Sequence, residues 1–309
     1  MTRYSGLPRR WPLHRVAACF CLMMALTWAA AAGAATGSAV IRMGFYLPTI
    51  RDANLSDLKV SLQVWADEIG RPFGYRVITA TYENLTSVQE AMKRGELDFI
   101  NAGGMELAEL FGPGDLLGGY ARHQQGVVNG LALVVSKASG IQSFDGLRGK
   151  RLSRLEHDRL SDVFLEVQCL KAGQLPCHEF LTLSDTRRDI QSVHNVFFGR
   201  ADAALVTLAA LQTATELNPQ VGQRLQVILD WKTKALIFGM MTRHADPAMR
   251  DLFVGSGTEA LKTVRGRQML ELFKTDHTEV VDANVLAPYR NMLRDYRELS
   301  KTRPPARTK

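Results

Sequence analysis

The sequence predicts an α/β protein of two lobes, each a mostly parallel sheet flanked by helices, with the second lobe inserted into the first. Three observations predict it. Short apolar runs rich in strand formers alternate with segments whose apolar residues recur at helical spacing, the pattern of strand–helix–strand units. One junction, a helix followed by Gly-x-x-Asp and a strand, occurs twice, at Gly95-Glu96-Leu97-Asp98 and Gly199-Arg200-Ala201-Asp202. Two apolar passages, Val127–Ser136 and Leu236–Thr242, lie between the halves and read as crossings, which makes the first lobe discontinuous. A pair of crossings suits a hinge.

The elements follow in order. Val40–Leu47 reads as a strand. Leu58, Leu62, Trp65 and Ile69 line a helix that Gly70 ends as a C-terminal cap. Tyr75–Tyr82 is the next strand. Leu85, Val88, Ala91 and Met92 share one helix face that stops at Gly95, and Leu97–Asn101 is a third strand. In the later half, Val163, Phe164, Val167 and Leu170 mark a helix ending at Gly173, and Ile190, Val193, His194 and Phe197 mark another ending at Gly199. Strand-like runs occur at Phe180–Leu183, Ala203–Leu208 and Leu225–Leu229. From Pro247 to Tyr296 the pattern reads as helical, through Met249, Leu252, Phe253, Leu261, Met269, Leu270, Phe273 and Met292. The expected division is 36–126 with 236–296 as lobe one, 127–235 as lobe two, and 297–309, with Pro304-Pro305, as a disordered basic tail.

Composition narrows the function. Among 309 residues, 46% hydrophobic and 22% charged is a packed globular balance, which excludes disordered, collagen-like and coiled-coil proteins. The net charge of +7 is concentrated at the ends. Residues 1–35 and 297–309 each carry +4, so the body is near neutral and has no basic stripe for nucleic acid. Residues 1–35 have the layout of an export signal: Arg3 to Arg15 are basic, the run from Val16 is uncharged, and Ala32-Gly33-Ala34 offers a small-residue cleavage site. An uncleaved anchor over Val16–Ala35 is the alternative; the expected cleavage is near Ala34/Ala35. Removal takes Cys19 and Cys21 with it. Cys169 and Cys177, eight positions apart, are then expected to form a disulfide in an oxidising compartment, with two buried thiols as the alternative. No phosphate loop, Gly-x-Gly-x-x-Gly, Gly-x-Ser-x-Gly or His-Glu-x-x-His occurs. The expectation is a binding protein: not an enzyme, with no catalytic residue, no metal and no cofactor.

The order of elements resembles the type II periplasmic solute-binding proteins. Within them it is similar to the phosphate/phosphite/phosphonate-type binding subunits of ABC importers. Arg42-Met43-Gly44-Phe45-Tyr46-Leu47-Pro48 resembles that family's opening strand and ligand loop, and Tyr82 through Asp98 its aromatic, helix, glycine and aspartate segment. Ser139-Gly140-Ile141, continuing to Leu147-Arg148-Gly149-Lys150, is similar to its Ser-Gly-Ile…Leu-x-Gly-Lys approach to the second lobe. The family's Ser-Thr-Ser-Gly run is reduced here to Ser161 within Arg159-Leu160-Ser161-Asp162. A family histidine falls near Thr186, beside Arg187 and Arg188. The resemblance implies a two-lobed type II fold, a periplasmic location, and capture of a small, phosphonate- or phosphate-like anion for an ABC importer permease. The alternative partner is a membrane sensor kinase. The mature protein is expected to be monomeric.

In open α/β sheets, ligands bind beyond the carboxyl ends of the strands, where helix N-termini favour anions. By that rule lobe one presents Tyr46, Tyr82, Gly104, Met105 and Glu106, and lobe two presents Arg159, Ser161, Thr186, Arg187 and Thr207. Bland readings stand beside these. Arg159 has Asp158 and Asp162 for partners, Arg187 lies among Asp185 and Asp189, Ser161 can cap its own helix, and the tyrosines can be core or rim aromatics. Glu106 repels an anion unless neutralised, which favours a ligand with a cationic part.

Overall fold

The computed structural model describes residues 40–301, apart from 51–54, 72–73, 174, 247–248, 250–262, 265 and 269–274. Its first sheet holds β1 (Val40–Tyr46), β2 (Arg76–Tyr82), β3 (Phe99–Gly103), β4 (Leu116–His123), β10 (Ile237–Thr242) and β11 (His277–Val281), in the order β11-β4-β10-β3-β1-β2. The second holds β5 (Gly130–Ser136), β6 (Arg151–Leu155), β7 (Thr182–Thr186), β8 (Ala203–Thr207) and β9 (Leu225–Lys232), in the order β7-β6-β8-β5-β9. The helices are α1 (Leu55–Gly70), α2 (Leu85–Lys93), α3 (Gly104–Leu110), α4 (Arg159–Gly173), α5 (Cys177–Phe180), α6 (Asp189–Phe197), α7 (Leu208–Leu217), α8 (Pro219–Arg224) and α9 (Ala287–Lys301).

This is the two-sheet α/β architecture that the sequence predicts, with one correction. The sheets are mixed. β1 pairs in parallel with β2 and β3, and β6 with β7 and β8, while β10, β4 and β11 in the first sheet and β5 and β9 in the second pair antiparallel. The apolar passages read as crossings explain this: most of each is itself a strand. β5 is buried from Gly130 to Val135, with Leu131, Leu133 and Val135 in one apolar cluster and Ala132 and Val134 in another. A strand covered on both faces reads as continuous hydrophobic sequence. The true crossings are short and more polar, 124–129 and 233–236.

The repeated junction is built the same way in both sheets. Gly95 (φ 66°) and Gly199 (φ 71°) take the left-handed conformation that ends α2 and α6. Asp98 then accepts from the Arg42 amide (2.8 Å), Nε (2.8 Å) and Nη2 (2.7 Å) at the start of β1. Asp202 likewise accepts from the Arg151 amide (2.8 Å), Nε (3.2 Å) and Nη2 (3.2 Å) at the start of β6. In each sheet an aspartate thus fixes the register between neighbouring parallel strands. Asp98 is buried, and its neighbour Arg42 is held charged chiefly by that hydrogen bond. Asp202 is more open, and its bond to Arg151 lowers its pKa.

Other differences are local. Phe180 closes the short helix α5, and the strand expected from Phe180 starts at Thr182. His277–Val281, within the segment expected to be helical, is the edge strand β11, paired along β4. Leu252, Phe253, Leu261, Met269, Leu270 and Phe273 lie outside the described residues, as do the signal and the basic tail. Cys169 in α4 and Cys177 at the start of α5 form the expected disulfide, both buried, with Cα atoms 5.3 Å apart.

Candidate functional site

Strand registers show which edges of the two sheets the crossings join. β4 is antiparallel to β10, which is antiparallel to β3, so β4 ends on the edge where β3 ends. From His123 the first crossing enters β5 at Gly130, and Leu131 there opposes Thr207 at the end of β8. The second crossing leaves Lys232, opposite Gly130, and enters β10 at Ile237, opposite Gly103. Both crossings therefore join the carboxyl edge of one sheet to the carboxyl edge of the other. They are bonded to each other as well: the Thr233 amide donates to the Asn129 carbonyl (3.0 Å), and Asn129 Nδ2 to the Lys234 carbonyl (3.0 Å).

On the first edge, Tyr46 ends β1 and is nearly buried. Burial raises its phenol pKa, with Glu106 and Glu109 adding to the shift. Glu106 is itself buried, and its carboxylate lies over Gly103, where an added Cβ would meet Oε2 at 2.2 Å. Met105 is a core side chain, 1% exposed. Gly104 opens α3, and its amide donates to the Leu236 carbonyl in the second crossing (3.0 Å). Tyr82 lies over Gly44, and burial raises its pKa; the charges acting on it are Glu96 and Arg94, at the opposite end of the sheet. The structure thus groups Tyr46, Gly104 and Glu106 with Glu109, and leaves Tyr82 turned away from them.

On the second edge, β6 runs into a turn where His157 takes a left-handed backbone (φ 54°), the only described residue other than glycine to do so. The turn launches α4. Ser161, buried, donates to the Asp158 carboxylate. Arg159 does not pair with Asp158 or Asp162 in the way its sequence neighbours suggested. Its Nε and Nη2 grip Glu109 of α3 at 2.8 and 2.7 Å, a two-pronged ion pair between helices of different sheets. Arg154 instead holds Asp162, together with Asp185 (3.0 Å). Burial still raises the Asp162 pKa, against the pull of Arg154. Thr186 ends β7; its hydroxyl lies 3.1 Å from the Arg154 carbonyl, 3.2 Å from that of Arg188 and 2.8 Å from Ser192 Oγ. Thr207 donates to Asp189 (2.8 Å) and caps α7 by accepting from the Ala210 amide (3.2 Å). Arg187 is open to solvent, 4.0 Å from Glu156.

A hydroxyl has one proton to give. Those of Ser161 and Thr207 are given to carboxylates, and Thr186 has two main-chain carbonyls in reach. Donors on this edge include guanidinium groups and the first amides of α4, which helix geometry leaves without intrahelical acceptors at its positive dipole end. Such an edge suits an anion, and the carboxylates opposite suit a ligand that also carries donors. Glu109 and Arg154 were not singled out in the sequence; each finds its partner through the fold, Glu109 fifty positions from Arg159 and Arg154 eight and thirty-one positions from Asp162 and Asp185. Among the described residues no group of His, Cys, Asp and Glu is arranged to hold a metal ion. Nor is any helix among them long and apolar enough to cross a membrane.

Comparison with known proteins identifies the family. Residues 50–285 match the model of the ABC transporter, phosphonate, periplasmic substrate-binding protein family. No curated protein sequence is significantly similar. Among solved structures, the chain is similar to a binding protein component of an ABC phosphonate transporter from Pseudomonas aeruginosa, at 13% identity and TM-score 0.58, covering 87% of this chain and 90% of that one. It is similar to XAC2383 from Xanthomonas citri bound to ATP, at 13% identity and TM-score 0.64, covering 85% and 99%. It is also similar to PhnD1 from Prochlorococcus marinus in complex with methylphosphonate, at 14% identity and TM-score 0.55, covering 86% and 100%. At these identities the solved structures establish the fold. With more than two thirds of its length inside the family model, the chain belongs to the periplasmic substrate-binding proteins of phosphonate ABC transporters.

Proposed function

We propose that the protein captures a small phosphorus oxyanion, of the phosphonate or phosphate class, between two lobes and delivers it to the permease of an ABC importer. The lobes are 36–126 with 236–296, and 127–235. One observation carries the reading: two short crossings tie together the carboxyl edges of two α/β sheets, the place where such sheets bind ligands. Tyr46, Gly104 and Glu106 on one side, and Arg159, Ser161, Thr186, Arg187 and Thr207 on the other, are the proposed surroundings of the solute; Met105 and Tyr82 support from the packed interior. Methylphosphonate in PhnD1 and ATP in the Xanthomonas protein are both phosphorus oxyanions, which supports the class. The mature protein is exported to the periplasm as a monomer after cleavage near Ala34/Ala35.

Native mass spectrometry of the exported protein, paired with melting curves against methylphosphonate, phosphate, phosphite, an alkylsulfonate and arginine, tests this. The expected result is a bound phosphorus oxyanion, or a melting temperature raised by methylphosphonate or phosphate at micromolar to millimolar concentration. Stabilisation by arginine or sulfonate alone would overturn the class, and a response to none of the panel would overturn the capture reading.

A further inference from the structure

Tyr289, on α9, is wholly buried and reaches the second crossing at Ala235. Its hydroxyl donates to the Ala235 carbonyl. The next carbonyl along, that of Leu236, accepts the amide of Gly104 at the cleft edge (3.0 Å). The ring fills the space beside Gly104 so closely that a Cβ there would stand 2.3 Å from its Cζ. Trp231, at the end of β9, meets the ring edge-on at 5.2 Å, and Phe238, in β10, meets it at 6.1 Å. One side chain therefore contacts the strand entering the crossing, the crossing itself, the strand leaving it, and the glycine that opens α3.

We propose that Tyr289 is a positioning residue for solute capture, holding the Ala235-Leu236 peptides and Gly104 in the arrangement the closed cleft requires without touching the solute. Movement of the lobes must change backbone torsions in the crossings. A carbonyl held by a buried hydroxyl resists that change at Ala235, next to the bonds that tie Thr233 and Lys234 to Asn129 of the first crossing. The phenol's pKa is raised well above its ordinary value by burial, so it remains a donor throughout the physiological range.

The proposal rests on the capture reading for its purpose, but its test needs no solute. Amide hydrogen exchange on the ligand-free, full-length mature protein compares wild type with Tyr289→Phe, which removes only the hydroxyl. Exchange at Leu236 and Gly104 is expected to rise about tenfold, the equivalent of one buried hydrogen bond. Met292→Ala, on the same helix, is the control: it lowers the melting temperature without accelerating these two amides. If Tyr289→Phe does not fold, Gly104→Ala serves in its place, since its methyl displaces the ring. It is expected to accelerate Leu236 exchange, and Tyr289→Leu, which also lacks the hydroxyl, is expected to do the same. Unchanged exchange at Leu236 and Gly104, or the same rise in Met292→Ala, would overturn the proposal and leave Tyr289 as ordinary core. Failure to bind any oxyanion would overturn the capture reading alone.

Discussion

Glu109→Gln separates two roles for Arg159. In the structure the guanidinium spends two N–H groups on Glu109, at 2.8 and 2.7 Å, across the gap between α3 and α4. The glutamate helps to hold Arg159 charged, against the effect of burial. A charge-assisted hydrogen bond contributes about 1.5–3 kcal/mol when well protected. The Arg159 and Glu109 side chains are 37% and 27% exposed, so solvent screening reduces the net value of the pair to about 1 kcal/mol. That is roughly fivefold in an equilibrium between closed and open lobes. If the pair belongs to the closed form, Glu109→Gln and Arg159→Ala each weaken solute binding about fivefold, and the double variant is no weaker than either. Calorimetric titration with methylphosphonate or phosphate reads the affinity, and the loss should shrink as salt is raised. If Arg159 serves the solute directly, neutralising Glu109 releases it and tightens binding. Tighter binding in Glu109→Gln would refute the latch.

Three further predictions concern stability. Replacing both Cys169 and Cys177 by alanine, or reducing them, should lower unfolding free energy by about 2.5 kcal/mol, the chain-entropy value for so short a loop, as read by urea denaturation. Asp98→Asn should destabilise by about 2–3 kcal/mol, because a buried carboxylate takes three hydrogen bonds from Arg42; Asp202→Asn, at the more open copy of the junction, should be milder. Equal losses would contradict the assigned difference in burial. At the first crossing, burial and then the stacked ring of His277 lower the His123 pKa, with Lys234 adding to them and Glu279 opposing. The unfolded chain therefore binds a proton more readily than the native one. The stability contributed by neutral His123 is complete above the ordinary histidine value of 6.5 and is lost as pH falls from there through the lower native value. Melting temperature should fall between pH 7.5 and pH 5.5 by less in His123→Asn than in wild type.

The parts of the fold that were legible in the sequence are those where local chemistry and tertiary role agree. Gly95 and Gly199 end helices because their backbones are left-handed, and Asp98 and Asp202 open strands because each binds the arginine of a neighbouring strand; both facts follow from one repeated four-residue pattern. β4 was hidden by its glycines. Gly119 sits so close to β10 that an added Cβ would lie 2.0 Å from the Gly239 carbonyl oxygen, so the strand needs the very residue that weakens a strand signal. β6 was hidden by polarity, since its buried Ser153 is satisfied by Ser192 and Asn195 rather than by apolar packing. β11 is an edge strand whose pairing with β4 alone leaves Glu279 and Val280 exposed, and its pattern is correspondingly mixed.

The candidate site was less legible, for a geometric reason. Position at a strand end located Tyr46, Gly104 and Glu106 on one edge and Ser161, Thr186 and Thr207 on the other. It could not say where their protons point, and two of the three hydroxyls on the second edge donate to internal carboxylates. Glu109 and Tyr289 act through contacts between segments far apart in the chain, with Arg159 and Ala235 respectively. Local patterns carry no trace of such pairs.

Small-angle scattering of the mature protein, titrated with methylphosphonate or phosphate, bears most directly on the idea of two edges closing on a solute. The predicted result is a saturable fall in radius of gyration that tracks the calorimetric binding curve. Saturable binding with an unchanged radius, or no binding by either oxyanion, would contradict it.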